Sequence, residues 1–174
     1  MKNLLLALFV MVLPLIGHSQ TPAIKAFYDK YKNMENVQDV QLQGWLLNLA
    51  STFTDEEEAG RLLKKITQLR VLIMEEGNLV NRQEYNALMK DLKKSQFEEL
   101  IKIKEDGQNI EFMIREQEDT ITDVLIVVNG TDDFVMLSLE GKLKFSDLND
   151  LNIEVEGAEH FQKLPEAKKD VPRA

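Results

Sequence analysis

The sequence predicts an α+β fold, in which helices are packed on one face of a mainly antiparallel sheet that ends in a C-terminal four-strand meander. Two changes along the chain support this prediction. Apolar residues recur at helical spacing before Ser95, whereas apolar and polar residues alternate with a period of two after it. Short turns separate the later strands, which is typical of antiparallel neighbours.

The N-terminal segment has the layout of a secretory signal peptide. Lys2 precedes an apolar run over residues 4–16, and Gly17 and Ser19 stand at positions −3 and −1 of a cleavage site between Ser19 and Gln20. The run is shorter than the roughly 20 apolar residues of a spanning helix, so a membrane anchor is the weaker interpretation. We therefore expect a signal peptide over residues 1–19, a single domain over 20–151 and a polar, disordered tail over 152–174.

The region before Ser95 predicts four helices and two strands. Thr21 and Pro22 are typical of a helix start, and Thr54 with Glu57 matches a capping box, as Asn81 with Glu84 does. Tyr and Phe residues of the first helix are expected in the core, although a loosely docked helix would turn them toward a partner. In chain order, the predicted elements are a helix from Thr21, a strand over 37–43, a short buried helix over 45–50, a helix from Thr54, a strand over 69–74 and a helix over 81–94.

The region after Ser95 predicts four strands and a short helix. Asp106-Gly107 and Asn129-Gly130 are strong hairpin-turn signals, because these residue types adopt positive φ readily. Gly141 is expected to interrupt the last strand. The predicted strands cover 97–104, 110–114, 121–128 and 134–140, and the helix covers 146–151.

Trp45 is the only tryptophan and stands among leucines. A single tryptophan can anchor a ligand or a partner protein. Its apolar neighbours favour the simpler interpretation, and we predict that Trp45 belongs to the core.

Composition excludes several classes of function. The formal net charge of −9 argues against nucleic-acid binding, and the absence of cysteine excludes disulfides, thiolate catalysis and cysteine-ligated metals. His160 is the only histidine left after removal of the signal segment, and it stands in the polar tail. No catalytic, cofactor-binding or metal-ligating residue is therefore assigned, and no cofactor is expected.

Carboxylates are the remaining candidates for chemistry. Acidic residues cluster at 55–58 and at Asp132-Asp133, and paired carboxylates can cleave glycosides or hold calcium. A structural use is favoured, because the first cluster opens a helix, where the helix dipole favours negative charge, and the second stands in a hairpin turn.

The chain resembles the domain-of-unknown-function family 4252, a family of small exported proteins from Bacteroidetes. The resemblance covers residues 23–151 and is strongest in the C-terminal strands. It rests on apolar patterns rather than on catalytic motifs, at residues 27–31, 69–72, 85, 92, 114–116, 122–127, 137–143 and 145–148.

The resemblance implies a location rather than an activity. Many relatives are lipoproteins with a cysteine after the signal, and this chain lacks that cysteine, which implies a soluble periplasmic or secreted protein. The family's genes often lie near those of sigma and anti-sigma factors, which implies envelope signalling. Exported proteins of that phylum also carry O-glycans at Asp-Thr followed by an apolar residue, so Thr120 is a candidate acceptor.

Two classes of function follow. The first is an exported, non-catalytic binding or regulatory protein that recognises an envelope protein or a small envelope ligand through a sheet edge or a helix–sheet groove. The alternative is a carboxylate-dependent hydrolase acting on glycans. Converging buried carboxylates with a raised pKa would favour the hydrolase, and an open apolar surface would favour the binding protein.

Overall fold

The structure, a computed structural model, describes residues 21–54, 57–105 and 107–148. Helices and strands alternate in the first half, and four consecutive strands follow. In chain order the elements are α1 (Pro22–Tyr31), β1 (Val37–Gln43), α2 (Gly44–Ala50), α3 (Glu57–Lys65), β2 (Ile66–Met74), α4 (Arg82–Lys94), β3 (Glu98–Glu105), β4 (Gln108–Gln117), β5 (Thr120–Asn129), β6 (Phe134–Leu143) and a 3₁₀ helix (Phe145–Leu148).

All described strands form one antiparallel sheet in the order β1-β2-β6-β5-β4-β3. The strands β3 to β6 are sequential neighbours, which confirms the predicted α+β class and its C-terminal meander. Strand β2 joins the meander by pairing with β6, and β1 lies outside β2. The two edges, β1 and β3, carry many charged and amide side chains, which discourage pairing with further strands.

Helices cover both faces of this sheet. The two long helices, α1 and α4, pack on one face, which we call the helical face, whereas the prediction placed all the helices on a single face. The shorter α2 and α3 contribute Leu47 and Leu62 to a second core on the opposite face. Alternation along β5 divides its side chains between the two cores, with Leu125 and Val127 on the helical face and Ile126 on the opposite face.

Local signals explain the best-predicted elements. The Asn81 side chain accepts hydrogen bonds from the backbone N–H groups of Gln83 and Glu84 at 3.0 Å, and the Glu84 carboxylate accepts one from the Asn81 backbone N–H at 3.4 Å. This capping box starts α4 where it was predicted. The β3–β4 turn contains Gly107 at φ 82°, a conformation that glycine adopts without strain.

Two irregular features of the sheet differ from the prediction. A bulge between Glu99 and Ile101 shifts the alternation of β3, so Phe97 joins the helical-face core while Ile101 packs on the opposite face. The prediction that Gly141 interrupts the last strand is wrong, because β6 continues to Leu143. A Cβ atom at Gly141 would lie 2.5 Å from the Lys65 carbonyl oxygen, so the glycine permits β6 to pack closely against the junction between α3 and β2.

Several expectations fall on residues that the structure does not describe. These are the cleavage site between Ser19 and Gln20, the tail over 152–174 with His160, and the end of the helix expected over 146–151. Among the described residues, no helix combines the length and the apolar character that crossing a membrane requires.

Candidate functional site

Helix α2 is oriented by its close approach to β2. A Cβ atom at Gly44 would lie 2.8 Å from the Thr67 carbonyl oxygen, so only glycine lets the helix begin against this strand. Leu47 then points into the core. The remaining large side chains of the helix consequently face away from the sheet.

Four apolar side chains are exposed on α2 and on the turn that follows it. Trp45 is 71% exposed and Phe53 is 80% exposed, and Leu46 and Leu49 are exposed by 37% and 50%. Trp45, Leu49 and Phe53 follow one another at intervals of four, the spacing of neighbours on one side of a helix. We call these four residues the α2 patch.

The α2 patch stands on an ordered backbone. The Thr52 and Phe53 N–H groups donate to the carbonyls of Leu49 and Ala50 at 3.1 and 2.9 Å, which extends the helical winding through Phe53. The Ser51 and Thr52 hydroxyls also donate to carbonyls three residues earlier, at 2.6 and 2.7 Å. The apolar side chains are therefore presented on a segment whose own hydrogen bonds are satisfied.

The structure contradicts the expectations for this helix. The prediction that Trp45 belongs to the core is wrong, and so is the prediction that α2 is buried, since Leu47 is its one fully buried apolar side chain. The helix is short and sits beside the edge strand β1, and among residues 21–54, 57–105 and 107–148 no element covers its outer side. By contrast, Phe27, Tyr28 and Tyr31 of α1 are buried, as predicted.

A buried polar group joins α1 to the sheet. Arg70 of β2 donates to both carboxylate oxygens of Asp39 on β1, at 2.9 and 2.8 Å, and its guanidinium lies 4.0 Å from the centre of the Tyr28 ring. The Tyr28 hydroxyl lies 2.9 Å from the carbonyl oxygens of both Arg70 and Met136, and Ser138 donates to it at 3.3 Å. We call Asp39, Arg70, Tyr28 and Ser138 the Arg70 network.

Two carboxylates converge farther along the helical face. Asp123 of β5 and Glu140 of β6 are direct partners in register, and they are only 3% and 6% exposed. Arg115 of β4 donates to Asp123 at 2.7 Å, and the Thr122 hydroxyl donates to the same oxygen at 2.6 Å. We call Asp123 and Glu140 the acid pair.

The two members of the acid pair have different environments. Burial, and then the negative charge of Asp123, raise the pKa of Glu140 to about 7, and Arg115 only partly opposes this. One Glu140 oxygen is buried and has no hydrogen-bond partner among the residues that the structure describes. Asp123 has its cation and its hydroxyl donor. A protonated acid beside an ion-paired carboxylate is a combination that can support acid–base chemistry.

The residues singled out in the sequence lie elsewhere. Thr120 is half-buried and begins β5, directly after a turn in which Glu118 and Asp119 have φ of 49° and 59°. Its glycosylation stays a prediction. Glu57 and Glu58 stand in the first turn of α3, and Asp133 accepts a hydrogen bond from Gln108 at 3.2 Å in its hairpin. Within residues 21–54, 57–105 and 107–148, no three acidic or histidine side chains are grouped to hold a metal ion.

Sequence reasoning missed both the α2 patch and the acid pair. The acid pair had a weak signal, because Asp123 and Glu140 are each the single acidic residue of a mostly apolar strand. Arg70 had a similar signal, as a charged residue within the apolar strand β2. That Asp123 and Glu140 would meet was unpredictable, since the cross-strand register that joins them depends on the bulges between β4, β5 and β6.

The comparisons with known proteins concern the sheet and its helices rather than a site. No curated protein and no solved structure matches the chain. The family model described as "Domain of unknown function (DUF4252)" matches residues 31–151, which include every strand of the sheet and helices α2, α3 and α4. The match covers more than half of the chain and agrees with the resemblance drawn from the sequence, so the chain belongs to the DUF4252 family.

Proposed function

We propose that the chain is an exported, non-catalytic binding or regulatory protein of the bacterial envelope, and that the α2 patch docks a partner protein. The observation that carries this proposal is the exposure of Trp45, Leu49 and Phe53 on an ordered segment. Exposed apolar clusters mark interaction surfaces, and aromatic residues are enriched in their centres. The signal-peptide pattern before residue 20 supports export.

The test is capture of partners from envelope fractions on immobilised protein, followed by titration of the captured partner in purified form. We expect the double variant Trp45→Ser, Phe53→Ser to lose the partner, because truncation of central aromatic residues removes most of the affinity of such surfaces. Leu79→Ser is the matched control, since Leu79 is also exposed but lies outside the α2 patch. Equal binding by all three proteins would contradict the proposal.

Export is tested separately by mass spectrometry of the protein recovered from periplasm and culture medium. The expected product begins at Gln20. Recovery of the chain only in the cytoplasm with residues 1–19 attached would refute export, and it would leave the docking test unaffected.

A carboxylate-dependent glycan hydrolase is the second candidate, and the acid pair is the observation that favours it. The paired carboxylates and the raised pKa of Glu140 resemble the division of roles between acid and base in glycosidases. Both carboxylates are almost fully buried, and the Asp123 carboxylate already accepts a hydrogen bond from Arg115. A substrate would therefore have to displace packed side chains. We therefore rank the binding function first.

Turnover of a broad glycan panel is the test that separates the two candidates. We expect no hydrolysis by the purified protein. Reproducible turnover that is abolished by Glu140→Gln or Asp123→Asn would favour the hydrolase instead.

A further inference from the structure

A polar cleft of about 490 Å³ lies where the first turns of α4 meet the ends of β3, β4 and β5. Its size is within the range of small-molecule sites. The side chains of Arg82, Tyr85, Lys102, Lys104, Asn109 and Glu111 are among those that line it. None of these residues belongs to the α2 patch, so the cleft is independent of the proposed function.

The wall of this cleft is preformed. Lys104, Asn109 and Asn129 are register neighbours across β3, β4 and β5, so their side chains stand side by side. Asn78 donates to the Asn129 side chain at 2.9 Å and to the Gly130 carbonyl at 2.7 Å, and it accepts from the Val80 N–H at 2.8 Å. These bonds hold the amides in place before any ligand arrives.

The charge of the lining opposes that of the chain. Arg82, Lys102 and Lys104 contribute three cations and Glu111 contributes one carboxylate, whereas the whole chain has a formal net charge of −9. Lys102 pairs with Glu111 and lies 3.6 Å from Glu99. The excess of cations therefore favours an anionic group in the cleft.

Tyr85 supplies a buried hydroxyl that makes no well-aligned hydrogen bond within the part of the chain that the structure describes. The residue is 9% exposed and lines the cleft, and its hydroxyl is buried with no hydrogen-bond partner of acceptable geometry among the described residues. Burial, then the negative charge of Glu111, and then a contact of the hydroxyl with that carboxylate raise the pKa of Tyr85, and the Glu111 carboxylate is already paired with Lys102. An unpaired buried hydroxyl is unfavourable, and a ligand oxygen would satisfy it.

We propose that this cleft binds a small anionic sugar, that is, a hydroxyl-rich ring bearing a carboxylate or a phosphate. Arg82 and Lys104 receive the anionic group. The side-chain amides and the Tyr85 hydroxyl can both donate and accept, which matches sugar hydroxyls. A neutral sugar leaves the cations unused, and inorganic phosphate leaves the amides unused.

Isothermal titration calorimetry at low salt tests this with four probes: D-glucuronate, D-glucose 6-phosphate, D-glucose and inorganic phosphate. We expect at least one anionic sugar to bind roughly ten-fold or more tightly than glucose and phosphate do, since charged hydrogen bonds are the strong ones. Tighter binding of glucuronate or of glucose 6-phosphate identifies which anion the cleft prefers. Absence of saturable binding by both anionic sugars overturns the proposal, and so does phosphate binding of equal strength.

Variants then locate the site. We expect Lys104→Met to weaken binding of the preferred sugar roughly ten-fold or more, and Lys90→Met to leave it unchanged. Lys90 is the matched control because it lies on α4 and does not line the cleft. Equal effects of the two substitutions would overturn the assignment. Tyr85→Phe and Asn109→Ala should each weaken binding, and a thermal melt of each variant separates loss of binding from loss of folding.

Discussion

Polar side chains are buried between α1 and the sheet, whereas large apolar side chains are exposed on α2. In folded proteins polar side chains are usually exposed and large apolar side chains are usually buried, so each region is an exception of the opposite kind. In the Arg70 network, the buried positive charge of Arg70 is compensated by an ion pair with the Asp39 carboxylate and by a cation–π contact with the Tyr28 ring. The exposed side chains of Trp45 and Phe53 have no comparable compensation.

The difference separates features that serve the fold from features available for association. A buried polar group with its partners ties strands and helices together at specific positions. An exposed apolar cluster contributes little to folding and is available to a partner. The acid pair combines both features, because Asp123 has an ion-pair partner, whereas one Glu140 oxygen has no hydrogen-bond partner in the described part of the chain. Four experiments test this contrast.

The largest expected effect is that of Arg115→Met. Removing this cation leaves the two buried carboxylates of the acid pair facing each other, and loss of one partner of a buried ion pair destabilises by about 3–5 kcal/mol. Urea unfolding at pH 8 measures the change. Arg61→Met is the control, since Arg61 pairs with Glu58 at 3.8 Å on the exposed surface and should change stability by less than about 0.5 kcal/mol. Similar losses of unfolding free energy in both variants would contradict the role of Arg115 in compensating the buried acid pair.

The next effect is a pH dependence from Glu140. Its pKa in the folded state is about 7, above the ordinary value of 4.5, so the folded state binds more protons than the unfolded state between these values. Stability therefore falls as the pH rises from about 4.5 to about 7, by roughly 3 kcal/mol from this group. Glu140→Gln should remove that slope. A wild-type profile that rises through this window, with no difference in the variant, would contradict the assignment.

The loss of a tyrosine hydroxyl is expected to have different effects on stability at two buried positions, Tyr28 and Tyr85. Tyr28→Phe removes a hydroxyl that lies 2.9 Å from two buried carbonyl oxygens, and we expect a loss of about 2 kcal/mol. Tyr85→Phe removes a hydroxyl that makes no well-aligned hydrogen bond among the described residues, and it should leave stability nearly unchanged. Chemical denaturation of both variants measures the difference. A larger loss for Tyr85→Phe would reverse our interpretation of the two sites.

The smallest expected effect is that of the α2 patch on stability. Trp45→Ser and Phe53→Ser should each change the free energy of unfolding by less than about 0.5 kcal/mol, because the side chains are already in water. Leu47→Ser, on the same helix, should destabilise strongly, since Leu47 is buried in the opposite-face core. If Trp45→Ser destabilised as much as Leu47→Ser does, the patch would belong to the fold.

Much of the architecture was predictable because interactions between residues close in sequence determine where many of its helices, strands and turns begin and end. The bounds of β1, the capped start of α4 and the Gly107 turn each depend on neighbouring residues along the chain. The candidate sites depend on residues that are distant in sequence. Asp39 and Arg70 meet through strand pairing, as Asp123 and Glu140 do, and the register of the latter pair passes through a bulge.

Hydrophobic period, capping residues and turn residues were enough to predict the α+β class, the order of the elements and the four-strand meander, because these signals act over a few positions. Membership in the DUF4252 family rests on the family model that matches residues 31–151. Contacts between elements that are distant in sequence leave Trp45 exposed, let β6 continue past Gly141, and form a cation-rich cleft beside Tyr85 on an acidic chain. Whether a side chain is buried, and which side chain it contacts, depends on the element that packs against it. The residue pattern along one helix or strand does not specify that second element.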